Sequence, residues 1–262
     1  QLVQDAQRHD VEVRAVDVMS SDWDCTLEDL SGRPAVRLGL RLVKGLKEAS
    51  VHRILTARDR SPFDDPEDLA RRADLEQHEM QLLAGADALR SLSGHRRQQV
   101  WQASALRRPP HLLHEASIDE EFLELPAALE GEEVVHDYDT VGLTLRSHPL
   151  ALLRPALARR RLLKADDLEA VADGQMVRYA GIVTVRQQPE TAKGTVFISL
   201  EDETGNVQVI VWKSLREQQR PEVLRARLLA VYGMWQREGD VKNLVAHKLA
   251  DLTPLLGHLP TT

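Results

Sequence analysis

Hydrophobic and polar positions alternate most clearly in the last third of the chain. In the run 207–212, valines occupy every second position and alternate with Gln208 and Ile210. The apolar run 196–200 precedes it, and an acidic stretch that ends in a Gly-Asn pair separates the two at 201–206. β-branched residues at period two, broken by such a turn, predict an antiparallel β-hairpin.

Further strand patterns surround this hairpin. They predict strands over 176–185, 227–236 and 242–252, and a helix over 214–223 that precedes the fourth strand. Five strands with a helix between the third and the fourth is the order of an OB-fold, a small barrel that often binds oligonucleotides. The sequence therefore predicts an OB-fold at this end of the chain.

Helical spacing dominates earlier in the chain. A glycine turn at Gly45 leads into a predicted helix over 48–58, in which Val51, Ile54 and Leu55 share one face. This order is typical of a helix-hairpin-helix, whose turn presents backbone N–H groups at the start of the second helix to a phosphate. An ordinary basic turn between two helices is the alternative interpretation.

Basic residues accompany this turn, where they would add positive charge along a DNA backbone. The usual hairpin has two glycines two residues apart, and Lys47 stands at the second glycine position here. A second hairpin is predicted within 85–96, between helices over 75–83 and 94–106. The candidate DNA contacts of the two hairpins are Arg41, Lys44, Gly45, Leu46, Lys47, Arg96 and Arg97.

The charge distribution is uneven. The 262 residues suffice for about two domains and carry a formal net charge of -7. The stretch 109–145 contains no lysine or arginine, whereas 33–60 is strongly basic. We interpret the acidic stretch as a solvated linker, and its segment 119–125 alternatively as a docking peptide. A chain-wide average thus conceals a basic patch.

Simple features of the sequence indicate the cellular compartment and whether the chain is part of a longer protein. Cys25 is the sole cysteine, so an internal disulfide is impossible and a reducing cytoplasm is expected. No apolar run approaches the length of a membrane span, and no signal peptide pattern begins the chain. Because the sequence starts at Gln1 rather than at methionine, we expect a piece of a longer protein.

Several stretches resemble one family in the same order. The similar stretches are DVEVRAVDVMSSDWDCTLE at 10–28, LGLRLVKGLKE at 38–48, AGADALRSLSGHRRQQVWQA at 84–103, YDTVGLTLRSHPL at 138–150 and the barrel segment 176–252. They resemble bacterial C-family DNA polymerases, the DNA polymerase III alpha type. The SDWDCTLE run resembles the error-prone, ImuC-type branch, which works with ImuA and ImuB in damage-induced mutagenesis.

The resemblance implies an α+β fold, in which tandem helix-hairpin-helix units precede the five-stranded OB-fold barrel. The chain would be the C-terminal part of such a polymerase, with the catalytic carboxylates and their Mg²⁺ in an upstream palm. No catalytic residue, cofactor or metal site is therefore expected in this chain, which should be inactive alone. The implied domains are the end of the fingers (1–32), the tandem hairpins (33–108), the acidic connector with short helices (109–170) and the OB-fold (171–262).

The implied partners are template-primer DNA, single-stranded DNA and ImuA/ImuB-type proteins. Replicative members carry a clamp-binding peptide with a glutamine in the connector, and this chain offers only DEEFLEL there, so contact with the sliding clamp is expected to be indirect. The candidate DNA contacts of the barrel are Arg186, Lys193, Arg237 and Lys242. Phe197 and Trp212 are either stacking platforms or core residues, and core packing is the favoured interpretation, as it is for Trp23 and Trp101.

Two other functions remain open at this point. In one, the barrel and connector are a protein-interaction module that recruits ImuA/ImuB-type partners, and DNA contact is secondary. In the other, the chain is an RNA-binding OB protein, which the helical hairpins and the match at 10–28 disfavour.

Overall fold

A computed structural model describes residues 2–30, 32–105, 125–192, 194–239 and 241–259. The chain divides into two compact units, residues 1–146 and 147–262. Each unit has an apolar core of its own. The finer domain boundaries expected from the sequence stay predictions.

The first unit begins with a helix, α1 (Leu2–Arg8), and a small mixed sheet. Its strands are β1 (Glu12–Arg14), β2 (Thr26–Leu30) and β3 (Arg33–Arg37), with β3 in the middle. β3 pairs in parallel with β1 and antiparallel with β2. The sheet leads directly into a short 3-10 turn, Leu40–Leu42, which opens the helical part of the unit.

Helices then form most of the first unit. They are α2 (Glu48–Arg58), α3 (Pro66–Arg72), α4 (Gln77–Gly85), α5 (Arg90–Ser93), α6 (Arg96–Ala105) and α7 (Glu130–Thr140). The sequence predicted both ends of α2, and its Val51 and Ile54 are fully buried as the helical spacing requires. α3 starts where Asp65 accepts a hydrogen bond from the Asp68 N–H and Pro66 occupies the first turn.

Part of the acidic connector is helical and is packed onto the unit. α7 carries Val134 and two acidic side chains, Glu133 and Asp137, in buried positions. The interpretation of this stretch as a solvated linker is therefore wrong for α7. The proposed docking peptide at 119–125 lies outside the described residues except for Leu125, the last of them.

The second unit confirms the predicted barrel. After α8 (Pro149–Arg159) and α9 (Ala165–Glu169), its described residues form five strands in a closed barrel of order β4-β5-β6-β8-β7. The strands are β4 (Met176–Gln187), β5 (Val196–Glu201), β6 (Asn206–Val211), β7 (Leu228–Glu238) and β8 (Val241–Asp251). β6 and β8 pair in parallel, whereas the other neighbours are antiparallel. The strands lie within one or two residues of those predicted.

The helix predicted between the third and fourth barrel strands is two short helices. α10 (Lys213–Gln218) and α11 (Arg220–Arg225) are separated by a single residue, Gln219. Pro221 lies in the first turn of α11, where its missing N–H costs no helical hydrogen bond. Because the same proline could not continue α10, the predicted single helix is divided.

One glycine permits the barrel to close at a bulge. The register between β7 and β8 shifts at Tyr232 and Gly233. A Cβ atom on Gly233 would lie 2.1 Å from the carbonyl oxygen of Val245, which no side chain tolerates. The two strands can therefore approach closely at this position.

Candidate nucleic-acid interface

The first hairpin turn has the geometry that the sequence predicted. Gly45 has a φ of 86°, in the left-handed region where glycine is favoured, and directs the chain from the Leu40–Leu42 turn into α2. Leu46 is buried and holds the turn against the core. Of the predicted contacts at this turn, Leu46 can therefore contribute its backbone and not its side chain.

The N-terminus of α2 offers unoccupied hydrogen-bond donors. Lys47 is the N-cap residue, and its carbonyl accepts the N–H groups of Ser50 and Val51 at 3.0 and 3.2 Å. Among the described residues, no acceptor takes the N–H of Glu48 or Ala49. Free N–H groups and the positive end of the helix dipole together suit an oxygen of a phosphate.

The side chains around this N-terminus differ in sign. Lys47 is exposed and has no ion-pair partner in the described part of the chain. Glu48 is also exposed and lies 3.7 Å from His52 one turn later. A phosphate at this helix end would thus be attracted by Lys47 and by the amides, and repelled by the Glu48 carboxylate.

Lys44 is engaged inside the unit. Its Nζ donates hydrogen bonds to the main-chain oxygens of Tyr138 and Asp139, at 2.7 and 2.9 Å. Its backbone N–H donates to the carbonyl of Thr140 at 2.9 Å. These oxygens belong to the last turn of α7, where the helix has carbonyls without intrahelical partners. Lys44 therefore joins the first hairpin to the C-terminus of α7.

Arg41 is likewise paired, although it remains at the surface. Its guanidinium contacts the carboxylate of Asp24, and both side chains are more than half exposed. Such a pair opens easily, because surface ion pairs contribute little free energy.

The second hairpin also has a glycine of positive φ shortly before a helix. Gly94 has a φ of 73° and precedes α6, and the ring of His95 accepts a hydrogen bond of 3.3 Å from the Gln98 N–H. Within the same turn region, Gln99 donates hydrogen bonds of 2.7 Å to the Asp87 carboxylate and to the Gly94 carbonyl. Two glycine turns thus each lead into the N-terminus of a helix in one unit.

Arg96 does not lie at the surface, as a DNA contact would require. It is 3% exposed, and its guanidinium binds the carboxylates of Glu133 and Asp137 on α7. Burying this cation without partners would be very costly, so the two carboxylates fix it in place. We correct the sequence prediction accordingly: Arg96 is a structural residue of the interior.

Arg97 is exposed and lies beside the start of α7. Its guanidinium is 3.0 Å from the Glu132 carboxylate and 3.2 Å from the carbonyl of Pro126. The Glu132 side chain is itself more than one third exposed. A phosphate would therefore compete with Glu132 for Arg97.

A network of largely buried ion pairs and hydrogen bonds connects α7 to the hairpins. Arg146 lies 2.9 Å from the carboxylates of Asp87 and Glu133, and Thr144 donates a hydrogen bond of 2.6 Å to Asp137. Asp87 belongs to the second hairpin region, whereas Lys44 anchors the other end of α7 to the first. α7 therefore connects the two turns through Lys44 at its C-terminus and through the network of Arg96 and Arg146.

The barrel residues that the sequence predicted to bind DNA are bound to other residues of their own unit. Arg186 donates hydrogen bonds to the carbonyls of Val223 and Ala226 near the end of α11, and burial lowers the pKa of its guanidinium. Arg237 donates to the Glu169 carbonyl at 3.0 Å, and Lys242 binds the Glu169 carboxylate. Lys193 lies outside the described residues. The structure brings Arg237 and Lys242 together at Glu169, one on its main-chain carbonyl and the other on its carboxylate, and Arg186 is held elsewhere.

The acidic turn between β5 and β6 is neutralised from its own unit. Arg154 on α8 forms two hydrogen bonds of 2.6 Å with Glu203, and the carboxylate of Asp202 accepts the N–H groups of Ala165 and Thr204 at 2.8 Å. Burial raises the pKa of Glu203, but the Arg154 hydrogen bonds outweigh it and the net pKa lies below the ordinary value. These acids build the turn and offer no phosphate site.

Two tryptophans assigned to the core are exposed. Trp212 and Trp101 are each 54% exposed, whereas Trp23 packs against the core while partly buried. The period-two alternation of β6, continued by one residue, places Trp212 on the outer side with Gln208 and Ile210. That signal was present in the sequence and indicated the exposed position.

The described residues offer no metal site. They contain no group of three or more histidine, cysteine, aspartate or glutamate side chains placed to hold a metal ion. Among the described residues, no helix combines the length and the apolar character that crossing a membrane requires.

Comparison with known proteins agrees with this architecture. A family described as a helix-hairpin-helix motif matches residues 10–99, and a family described as an OB-fold nucleic acid binding domain matches residues 177–252. Both hairpin turns fall within the first match, although α6 extends past residue 99, and the barrel strands fall within the second, except for Met176 at the start of β4.

Curated relatives are similar along the whole chain. Proteins named error-prone DNA polymerase from Ralstonia nicotianae, Ralstonia pickettii and Bordetella parapertussis are 52%, 50% and 53% identical over 100%, 100% and 99% of this chain. The chain spans 25% of the length of each of these relatives. Over its full length, the chain is therefore similar to a region that makes up about a quarter of these error-prone DNA polymerases.

Proposed function

We propose that this chain is the C-terminal DNA-binding part of an error-prone translesion DNA polymerase that acts in damage-induced mutagenesis. The two hairpins bind the backbone of the template-primer duplex, and the barrel contacts single-stranded template. The nucleotidyl transfer itself belongs to a palm domain with Mg²⁺ in the whole protein, and the chain alone is inactive.

The N-terminus of α2 is the observation that carries the proposal. Its Glu48 and Ala49 amides and Lys47, none of which has a partner among the described residues, form with the helix dipole an anion site of the kind that binds a phosphate without reading sequence. At the turn before α6, the exposed Arg97 adds a second cation on the same unit, next to a helix start where His95 and Gln98 bind Leu125. A helix N-terminus and a separate exposed cation on one unit favour a repeating phosphate backbone over a small anion.

Duplex binding tests this function. Lys47→Ala should weaken binding about equally for different sequences and lower the slope of log affinity against log salt by about 1. Arg60→Ala is the matched control, because Arg60 is an exposed cation beyond the opposite end of α2, about 20 Å from Lys47 at 1.5 Å per helical residue. Equal affinities of Lys47→Ala and the unaltered chain at low salt would contradict the assignment.

Recruitment of a protein partner is the second candidate function. Trp101 and the neighbouring Val100 on α6 are 54% and 40% exposed, which is unusual for large apolar side chains on a helix. ImuA/ImuB-type proteins are the partners we propose for it, with the sliding clamp reached through them. A pull-down of the chain with each purified partner tests this, and retention of neither would reject it.

A further inference from the structure

Trp212 occupies an unusual place on the barrel. It follows the last residue of β6 directly and is the N-cap residue of α10. More than half of its surface is exposed, although a tryptophan buries more apolar area than any other side chain when it is packed. An exposed aromatic of this size beside a cavity is a candidate recognition element.

The indole borders a groove on the outer side of the barrel. The groove has a volume of about 420 Å³, within the range of small-molecule sites. Met234 on β7 lies opposite Val245 on β8, and Val245 is in turn the partner of Ile210 on β6. The floor is therefore formed by apolar residues of β7 and β8, and Leu215 of α10 forms one side.

Neutral polar groups line the rim. Gln218, Gln236 and Ser214 border the groove and present both hydrogen-bond donors and acceptors. No aspartate or glutamate is among the residues that line it, which are all described. A flat apolar surface with amide groups at its edge suits a planar, uncharged ring with polar edges.

The surroundings of the groove are basic in an acidic chain. The segment 213–227, which contains α10 and α11, has five basic and two acidic residues, a net charge of +3 against -7 for the whole chain. Lys213 adjoins Trp212, and His247 lines the groove beside Lys248. Glu217 lies 3.9 Å from Lys213, but both are more than half exposed, so the pair weakens the positive potential little.

A ligand with planar apolar faces, polar edges and negative charge on either side is a nucleotide within a single strand. We propose that this groove binds one base of a single-stranded nucleic acid. The base stacks on the Trp212 indole, Gln218 and Gln236 bind its edge, and Lys213 and Lys248 attract the flanking phosphates. A duplex does not fit, since its bases are stacked on each other and hidden from the indole.

This site is distinct from the contacts that the sequence suggested for the barrel. Arg237 and Lys242 each hydrogen-bond Glu169, and Arg186 binds the carbonyls at the end of α11, so each of these cations is already engaged within its unit. The inference rests on the proposed function in that the chain binds nucleic acid. It adds a place for the single strand and the chemistry that holds it there.

Oligonucleotide binding by the 262-residue chain tests the groove. Oligo(dT) labelled with a fluorophore should lose about 5- to 150-fold in affinity with Trp212→Ala, which is the effect of one stacked base. Trp212→Phe should recover most of the affinity, because it restores an aromatic face. Trp101→Ala is the matched control, an equally exposed tryptophan in the other unit, and should bind as the unaltered chain does.

The outcomes separate this inference from the proposed function. Unchanged oligo(dT) affinity in Trp212→Ala, or an equal loss in Trp101→Ala, would overturn the groove even if Lys47→Ala weakens duplex binding. Loss with Trp212→Ala but an unaffected duplex affinity in Lys47→Ala would uphold the groove and reject the hairpins. Oligo(rU) in parallel distinguishes a site for RNA from one for DNA, and far-ultraviolet circular dichroism verifies the fold of each variant.

Discussion

The Nζ of Lys44 lies 2.7 Å from the main-chain oxygen of Tyr138, across ninety-four positions of sequence. A lysine that the sequence presented as a DNA contact is thereby a structural link between the first hairpin turn and α7. Substitution of Lys44 can therefore change both the DNA affinity and the stability of the unit. Measuring the affinity and the stability of each variant separates the two effects.

Lys44→Met should therefore lower stability while changing DNA affinity less than Lys47→Glu does. The methionine replaces the apolar part of the lysine side chain but lacks the ammonium group and its hydrogen bonds to the α7 carbonyls, an effect of about 1 kcal/mol for an exposed group. Urea unfolding of the first unit measures the stability, and duplex titration measures the affinity. A larger loss of affinity than in Lys47→Glu, at unchanged stability, would return Lys44 to the DNA interface.

Removal of Asp137 should be far more damaging. Asp137→Ala leaves the buried Arg96 with one fewer carboxylate and Thr144 without its acceptor, for a loss of about 3–5 kcal/mol in the free energy of unfolding. Asp139→Ala is the control, since this side chain is exposed on the same helix. Equal melting temperatures of the two variants would show that the buried network contributes no net stability.

Neutralising Glu132 should strengthen DNA binding. In Glu132→Gln the Arg97 guanidinium loses its carboxylate partner and becomes available to a phosphate, a gain of about 1.5- to 5-fold in affinity at low salt. Glu67→Gln removes an exposed acid elsewhere on the unit and controls for the change in net charge. The same gain in both variants would indicate a general charge effect, and no gain would exclude Arg97 from the interface.

The Arg154–Glu203 pair should make the stability of the barrel depend on acid pH. Burial acts to raise the Glu203 pKa, yet the Arg154 hydrogen bonds keep it below the ordinary 4.5. The stabilisation is thus complete above pH 4.5 and disappears as the pH falls through the lowered folded-state value.

Arg154→Met should remove this dependence. The difference in unfolding free energy between the unaltered chain and the variant is expected to be largest at neutral pH and to shrink below pH 4.5. Urea unfolding at a series of pH values measures it. A constant difference across the series would show that ionisation of Glu203 does not contribute to the stability of the barrel.

The strands could be predicted because their signal is local. Alternation at period two fixed the inward face of β6, and the buried Val207, Val209 and Val211 obey it. The start of α2 was predictable for the same reason, since a glycine turn and a helical face adjoin in sequence. Such patterns need no knowledge of distant residues.

The candidate site was harder to predict, because the spacing of charged residues along the sequence does not show which of them are buried. Arg96 and Arg97 are adjacent and chemically identical, yet one is buried and the other exposed. What separates them is α7, whose acids lie more than thirty positions away. Trp212 was misassigned for another reason: its apolar neighbours suggested a core, whereas the strand register placed it outside.

The parallel pairing of β6 with β8 has a consequence for synthesis of the chain. β8 is the last of the barrel strands to emerge from the ribosome, so the edge of β6 that pairs with it has no partner until translation of the barrel is complete. During that interval the run Asn206–Val211 is an apolar strand with open backbone groups, the kind of segment that pairs with other chains. Products that end before Val241 should accumulate as aggregates, and a chaperone that covers β6 would increase the yield of folded barrel.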